Sequence, residues 1–142
     1  MKRYLLDTNI VLFSLFNQDE LDRGVDDLLS DYNNLFYISS VSLQEIIHLY
    51  KRHKINTAWK SAEDILPSIL GGNLEMLPVK REHLATYAKL ITAEFHNDPC
   101  DHIIISQAIT ENITLISSDR KFEVYTKQKL ELSSLFSLSL RA

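Results

Sequence analysis

Four acidic residues carry the strongest chemical signal in this sequence. Each one ends a short apolar run that predicts a strand or opens a segment that predicts a helix; they are Asp7, Glu45, Asp101 and Asp119. Because ligands bind at the carboxyl ends of the strands in open α/β sheets, we expect the four carboxylates to meet at that edge. Converging carboxylates raise one another's pKa unless a cation lies among them. An oxygen-only ligand set suits Mg²⁺ or Mn²⁺, and such ions lower the pKa of water and stabilise charge on a phosphate. The pattern therefore predicts a metal-dependent site for phosphodiester cleavage.

Helix capping is the structural alternative for each of these acids. Asp7 precedes a helix start, and Ser42 with Glu45 has the spacing of a capping box in which Ser42 is the N-cap. Asp98 is an N-cap candidate, so that Asp101 would only favour the dipole of the same helix. A cap needs one acceptor per helix and takes Ser, Thr or Asn equally well. Capping alone therefore accounts poorly for four acids.

Short apolar runs with β-preference predict the strands that position the acids. The first run, Tyr4–Leu6, ends directly at Asp7. Pro78 indicates that the third strand lies at the edge of a sheet or stops there. The predicted strands cover residues 4–6, 35–38, 74–79, 113–116 and 130–132, the last as an edge strand.

Apolar residues at helical spacing predict helices between the strands. Asp98 as N-cap and Pro99 at the first helical position open a helix that is apolar on most sides and therefore buried. The remaining predicted helices start at about residues 10, 19, 42, 57, 80 and 120. The helix over 57–70 would bury Ile65 and Ile69, and the helix over 80–95 would bury Leu84, Tyr87, Ala88 and Ile91. No pattern assigns a structure to residues 133–142.

Composition sets the class of protein. At 142 residues the chain fits one domain, and no apolar run reaches the length that spans a membrane. The amino terminus lacks the pattern of a signal peptide, and the lone Cys100 fits a reducing compartment, so we expect a cytoplasmic protein. A net charge of -4 argues against a generally cationic nucleic-acid binder. Any nucleic-acid site must then be a local patch or depend on a metal.

Two short basic runs are the candidates for such a patch. Lys51, Arg52 and Lys54 follow the Glu45 helix, and Arg120 with Lys121 follows Asp119. The alternative is that the first run is a solvated helix end favoured by the dipole. The five histidines have no ligand-like spacing and are interpreted as surface or core residues; they are His48, His53, His83, His96 and His102.

Four motifs in register give the chain a resemblance to the PIN-domain ribonucleases, specifically the VapC-type toxins of prokaryotic toxin–antitoxin pairs. The motifs are Leu6–Asn9, Ser42–Ile46, His96–Asp101 running into Ile104–Ala108, and Leu115–Phe122. The match covers nearly the whole chain in the family's order. The sequence departs from the pattern at Gln44 and Cys100, where aromatics are usual, and at His102, where arginine is common.

The resemblance implies a fold and a set of site residues. The expected architecture is a single PIN domain over 1–142, a three-layer α/β/α sandwich around a mostly parallel sheet of four or five strands. Asp7, Glu45 and Asp101 would anchor Mg²⁺ or Mn²⁺, and Asp119 would bind a second ion or a bridging water. Three further residues would orient the acids or neighbour them; they are Asn9, Ser117 and Asp98.

The resemblance also implies an endoribonuclease that acts on RNA, a small DNA-binding antitoxin as partner, and a homodimer. The apolar residues around Leu49–Tyr50 and Ile65–Ile69 are candidate docking surfaces, with the core as their alternative place. A rival interpretation is a catalytically idle PIN-like module that binds RNA or a protein. A second rival, a phosphatase-like hydrolase, would prefer an Asp-x-Asp start, and Asn9 stands where the second Asp would be.

Overall fold

The computed structural model describes residues 2–16, 19, 21, 23–55 and 57–134. Within these residues five strands form one sheet in the order β3-β2-β1-β4-β5, and every neighbouring pair runs parallel. The strands are β1 (Arg3–Leu6), β2 (Leu35–Ser39), β3 (Leu74–Leu77), β4 (Thr114–Ser117) and β5 (Leu132–Ser134). The predicted parallel sheet is confirmed, with β3 and β5 at its edges.

Helices cover both faces of this sheet, which confirms the predicted α/β/α sandwich. A short 3₁₀ turn at Ala62–Asp64 precedes the fourth α-helix, and a longer 3₁₀ helix, Arg120–Gln128, follows β4. The α-helices are α1 (Thr8–Phe16), α2 (Arg23–Ser30), α3 (Ser40–Lys51), α4 (Ile65–Ile69), α5 (Arg81–Lys89) and α6 (Pro99–Glu111). No helix in the described ranges is long and apolar enough to cross a membrane.

The core lies in two layers because side chains alternate along each central strand. Leu6 of β1 packs with α1, α3 and α4 on one face, whereas Leu5 packs with α6 on the other. Ile116 and Leu115 of β4 divide in the same way. Since β1 is the middle strand and is covered on both sides, its carboxyl end is a fixed and poorly solvated point of the fold.

The predicted capping box at Ser42 is wrong. The N-cap of helix α3 lies three residues earlier, at Ser39, whose hydroxyl accepts the hydrogen bond from the Val41 amide. Ser42 lies inside the first turn and is fully buried. Glu45 is therefore not engaged in capping this helix.

The predicted helix over 57–70 forms only in its last part. The Asp64 carboxylate accepts hydrogen bonds from the Lys60 and Ser61 amides, and Ser61 adopts an extended N-cap conformation. These side-chain bonds hold the preceding segment outside the helix, as is typical of Ser and Asp near a helix start. Residues 57–60 accordingly adopt no regular secondary structure.

The predicted helix over 80–95 ends at Lys89, and its buried face was predicted wrongly. The side-chain amide of Gln128 bonds both the N–H and the C=O of Ile91, which takes that backbone out of helical pairing. Leu84 and Ala88 are exposed, whereas His83 is fully buried against Glu111 of α6. A polar pair therefore faces the core where apolar residues were expected.

Two isoleucines test this assignment of the core. We expect Ile104→Ala, at a side chain with no exposed surface, to lower the free energy of unfolding by about 2–5 kcal/mol. The matched change Ile91→Ala, at a side chain that is 76% exposed, should cost less than about 0.5 kcal/mol. Urea unfolding measures both. Equal costs would contradict the assignment of residue 91 to the surface.

Candidate functional site

Asp7 is a buried carboxylate at the carboxyl end of the central strand. It is 4% exposed, and its oxygens accept hydrogen bonds from the Ser117 hydroxyl at 2.9 Å and the Thr8 amide at 2.8 Å. Burial raises the pKa of Asp7 to about 7, and the Ser117 bond opposes part of that rise. The charges of Asp101 and Glu45 raise it further. The two donors therefore do not compensate the cost of burying this charge.

Glu45 projects from the second turn of α3 towards the same edge. Thr8 holds it there, because the Thr8 hydroxyl donates to Glu45 Oε1 at 2.8 Å and lies 2.8 Å from the Ser42 oxygen. Burial raises the pKa of Glu45, the Thr8 bond lowers it, and the charges of Asp98 and Asp101 raise it again. The side chain is thus tied to the residue that directly follows Asp7.

Asp101 stands in the first turn of α6. Asp98 is the N-cap of this helix and accepts from the Cys100 amide at 3.0 Å, so Asp101 is not needed as a cap. Instead, Asp101 Oδ2 lies 2.9 Å from His96 Nε2. Burial raises the pKa of Asp101, the His96 bond lowers it, and the charges of Asp98 and Asp119 are among the causes that raise it.

Asp119 is joined to Asp7 through one serine. The Ser117 oxygen accepts from the Asp119 amide at 3.0 Å while its hydroxyl donates to Asp7. The Asp119 carboxylate accepts from the Lys121 amide at 2.9 Å and caps the 3₁₀ helix Arg120–Gln128. Ser117 therefore fixes the end of β4 relative to the end of β1.

The structure brings the four predicted acids to one edge of the sheet. The charges of Asp101 and Glu45 raise the pKa of Asp7, that of Asp101 raises the pKa of Glu45, and that of Asp119 raises the pKa of Asp101. As the side chains stand, no three His, Cys, Asp or Glu residues within the described ranges are arranged to hold a metal ion. The carboxylates bond instead to Thr8, Ser117 and His96. The cluster is electrostatically coupled but open.

The other residues predicted for the site lie further from the four acids or make no bond to them. Asn9 is exposed and, among the described residues, bonds to none of the four acids. Lys51 lines the groove beside Glu45, whereas Arg52 and Lys54 are exposed at and beyond the end of α3. Of the two places predicted for Ile65 and Ile69, a docking surface or the core, the structure shows the core.

A groove of about 430 Å³ adjoins the acid cluster along α3. Ile47, Leu49 and Lys51 line it together with Glu45 and Cys100. A larger hollow of about 610 Å³ lies at the opposite, amino-terminal edge of the sheet, among Lys2, Arg3 and other residues. Because the larger hollow includes none of the four acids, we assign the chemistry to the carboxyl edge.

Sequence reasoning named Ser117 but missed Thr8 and His96, which bond two of the acids, and Ser42, which bonds Thr8. Thr8, Ser42 and His96 were assigned no part in the site, and His96 was interpreted as a surface or core residue. His96 is indeed buried, but its ring contacts Asp101. The available signal was position: Thr8 follows Asp7, and His96 precedes Asp98 by two residues at the same helix start.

Comparison with known proteins gives one family match and a set of similar folds. The family model of the PIN domain matches residues 4–128. No curated protein matches the chain. The solved structure of VapBC2 from Rickettsia felis, bound to a DNA fragment from its promoter, includes a chain that is 24% identical with a TM-score of 0.67; the match covers 93% of this chain and 98% of that one.

Two further solved structures show the same fold. For VapBC of Salmonella typhimurium bound to DNA, the values are 20% identity, a TM-score of 0.69 and coverage of 95% and 99% of the two chains. VapBC-5 of Mycobacterium tuberculosis is described as a member of a family of toxin–antitoxin systems. Its chain is 17% identical with a TM-score of 0.56, and the match covers 94% of this chain and 98% of that one. At these identities the likeness concerns the fold.

The buried charge of Asp7 predicts a pH dependence of stability in metal-free buffer. A carboxylate whose pKa rises from 3.8 to about 7 on folding holds its proton better in the folded state. Its stabilising contribution is therefore fully present below pH 3.8 and is lost as the pH rises through about 7. Asp7→Asn removes the titrating carboxyl. As the pH rises from about 4 to 8, the free energy of unfolding of the mutant should therefore increase relative to that of the wild type, by roughly 1–4 kcal/mol.

Urea unfolding of both proteins across this pH range measures the difference. Asp27→Asn, on the exposed face of α2, is the matched control and should show no such gain. A difference between Asp7→Asn and the wild type that is independent of pH would contradict the raised pKa.

Proposed function

The chain belongs to the PIN domain family, and from this premise we propose that it is a Mg²⁺- or Mn²⁺-dependent endoribonuclease, the toxin of a toxin–antitoxin pair. One observation carries the proposal most directly: a buried Asp7 whose pKa is raised towards neutrality lies among three other acids at the ligand edge of the sheet. The proposal treats residues 1–142 as one PIN domain that acts in the cytoplasm.

The donor set fits a divalent cation. All four side chains offer carboxylate oxygens, which are the ligands that Mg²⁺ and Mn²⁺ prefer. A cation among them would also offset the desolvation and mutual repulsion that raise the pKa of Asp7, Glu45 and Asp101. Because the carboxylates do not enclose an ion as they stand, Glu45 and Asp119, which are only partly buried, would turn towards it, while Asp101 would keep its bond to His96 and offer its other oxygen.

In this proposal Asp7, Glu45 and Asp101 hold the ion, and Asp119 holds a second ion or a bridging water. When bound, the metal lowers the pKa of water and stabilises negative charge on the phosphate. The remaining work is done by the chain itself. Ser117 fixes Asp7 and the Asp119 amide, Thr8 fixes Glu45, and the central position of β1 keeps solvent from Asp7.

An acidic protein needs local positive charge to bind RNA. Arg120 and Lys121 are exposed and directly follow Asp119, and Lys51 lines the groove that contains Glu45. These three cations lie beside the acids and could contact the phosphates that flank a cleaved bond. Arg52 and Lys54 would contact phosphates of the RNA further from the cleaved bond.

We also propose a small DNA-binding antitoxin as partner and a homodimer of this chain. Similar solved structures are described as VapBC bound to DNA and as toxin–antitoxin complexes. An arginine or lysine of such a partner would be attracted to the four carboxylates and replace the charge of the metal. The groove beside Glu45, which has apolar walls at Ile47 and Leu49, offers the adjacent contact surface.

A catalytically idle PIN-like module is the alternative function. The observation that favours it is that, as the side chains stand, no three His, Cys, Asp or Glu of the described residues are arranged to hold a metal ion. The nuclease and the idle module differ in their response to a divalent metal: only the nuclease cleaves RNA when the metal is added.

The first test is cleavage of a single-stranded RNA by the wild-type chain with Mn²⁺ and with excess chelator. We expect cleavage only with metal, and we expect Asp101→Asn and Asp7→Asn to abolish Mn²⁺ binding in calorimetry while both variants stay folded. Asp27→Asn serves again as the control and should bind and cleave as the wild type does. Cleavage that persists undiminished in chelator would rule out the metal mechanism, and tight Mn²⁺ binding without cleavage would favour the idle module.

The second test concerns the basic residues that follow Asp119. The double variant Arg120→Glu, Lys121→Glu should cut RNA at least about tenfold more slowly at low salt, because charge contacts to phosphates count most there. Mn²⁺ affinity should change much less. The double variant Lys89→Glu, Lys127→Glu makes the same charge change at exposed positions elsewhere and should cut at the wild-type rate. Equal rates of RNA cleavage for the two double variants would show that Arg120 and Lys121 make no contact with the RNA.

A further inference from the structure

We propose that His96 is a positioning residue that orients the Asp101 carboxylate for metal binding, and that Tyr125 fixes His96 in the tautomer this requires. The inference rests on the proposed metal-dependent function and extends it to residues outside the four acids. It is carried by a chain of hydrogen bonds that begins at the Ala93 amide and ends at Asp101.

The direction of each bond follows from counting donors. The Tyr125 hydroxyl oxygen accepts from the Ala93 amide at 3.2 Å and lies 3.0 Å from His96 Nδ1. Tyr125 has one hydrogen to donate, and the arrangement that satisfies every group sends it to Nδ1. Nε2 then carries a proton and donates it to Asp101 Oδ2 at 2.9 Å. This engages one oxygen of Asp101 and leaves Oδ1 for another ligand.

The imidazole of His96 is held on every side. His96 is 1% exposed, and its ring packs against Phe122 and His102 at centroid distances of 5.4 Å and 4.8 Å. His102 Nε2 lies 2.8 Å from the His96 carbonyl, which ties the backbone at 96 to helix α6 one residue after Asp101. A ring held in this way cannot follow Asp101 if that carboxylate turns, so the bond sets the direction of the carboxylate.

The same contacts join Asp101 to Asp119. Phe122, Tyr125 and Gln128 all belong to the 3₁₀ helix that Asp119 caps. Gln128 bonds both backbone groups of Ile91 at 2.9 Å, which secures the segment that leads into His96. One short helix therefore carries an acid of the cluster at its start and the residues that orient a second acid along its length.

A second buried histidine in the same fold gives a matched control. His83 has no exposed surface, its Nδ1 accepts from the Lys80 amide at 2.9 Å, and its Nε2 lies 2.7 Å from a Glu111 oxygen. The chemistry is that of His96, but Glu111 is the last residue of α6, at the opposite end of the helix from Asp101. A variant at His83 thus loses a comparable buried bond without touching the acids.

The test compares Mn²⁺ affinity, measured by calorimetry, in His96→Leu, His96→Gln and His83→Leu. Loss of the group that orients a metal ligand should weaken affinity about 10- to 100-fold in His96→Leu. His96→Gln should recover most of it, since a glutamine amide can donate at the position of Nε2. His83→Leu should lose stability but keep wild-type affinity at a temperature where it is folded.

Nitrogen-15 NMR of the wild type and of Tyr125→Phe gives a readout independent of metal and activity. The wild type should show His96 with a bare Nδ1 and a protonated Nε2, and Tyr125→Phe should mix the tautomers and weaken Mn²⁺ binding by less than His96→Leu does. If His96→Leu fails to fold, this spectrum and the Tyr125→Phe affinity decide the matter.

Three results would overturn the assignment of His96: a protonated Nδ1 in the wild type, Mn²⁺ affinity in His96→Leu within about twofold of the wild type, or an equal loss in His83→Leu. A wild-type chain that binds Mn²⁺ with the predicted dependence on His96 yet cleaves no RNA would contradict the proposed nuclease and leave the positioning role standing. A wild-type chain that binds no Mn²⁺ would overturn both.

Discussion

The burial of the Asp7 carboxylate at the end of the central strand is the constraint on which the rest of the site depends. Strand β1 is covered by helices on both faces, so a charge at its carboxyl end loses most of its hydration. Two hydrogen bonds, from Ser117 and from the Thr8 amide, offset part of this cost, yet burial still raises the pKa to about 7. A fold that keeps an acid in such a place gains a position where a cation is favoured, and the neighbouring acids on α3 and α6 strengthen that preference.

The apolar runs predicted the sheet correctly because burial of apolar side chains alone determines where the central strands lie. Leu5, Leu6, Leu115 and Ile116 are buried whichever face they meet, so their apolar runs predicted strands without ambiguity. Helix α5 shows where the same reasoning fails. Its inward face is taken by His83, which pairs with Glu111, and apolar residues such as Leu84 remain at the surface. A buried polar pair reverses the face of an amphipathic helix, and its partner lies 28 residues away in the sequence.

Local patterns also could not separate capping from another role at Glu45 on α3. Ser42 and Glu45 have the spacing of a capping box, but Ser39 takes the cap and Thr8, 37 residues away from Glu45, takes the carboxylate. At α6 the local pattern was sufficient, because Asp98 caps the helix as its sequence predicts. The difference is that a cap is a contact within a few residues, whereas the bond that directs Glu45 joins two separate helices. Sequence could therefore name the acids and, through the family resemblance, Ser117, but not Thr8 or His96.

The residues that bond these carboxylates oppose the repulsion between them. Carboxylates that repel one another turn away from a common centre unless something holds them, and three of the four acids bond to a polar side chain: Ser117 for Asp7, Thr8 for Glu45 and His96 for Asp101. A hydroxyl donor stabilises the carboxylate form without cancelling the negative charge that would attract a cation. A lysine or arginine in the same place would neutralise the cluster and compete with the metal. Hydroxyl donors at Asp7 and Glu45 therefore keep negative charge in the cluster, which both the proposed divalent ion and a basic side chain of the proposed protein partner would use.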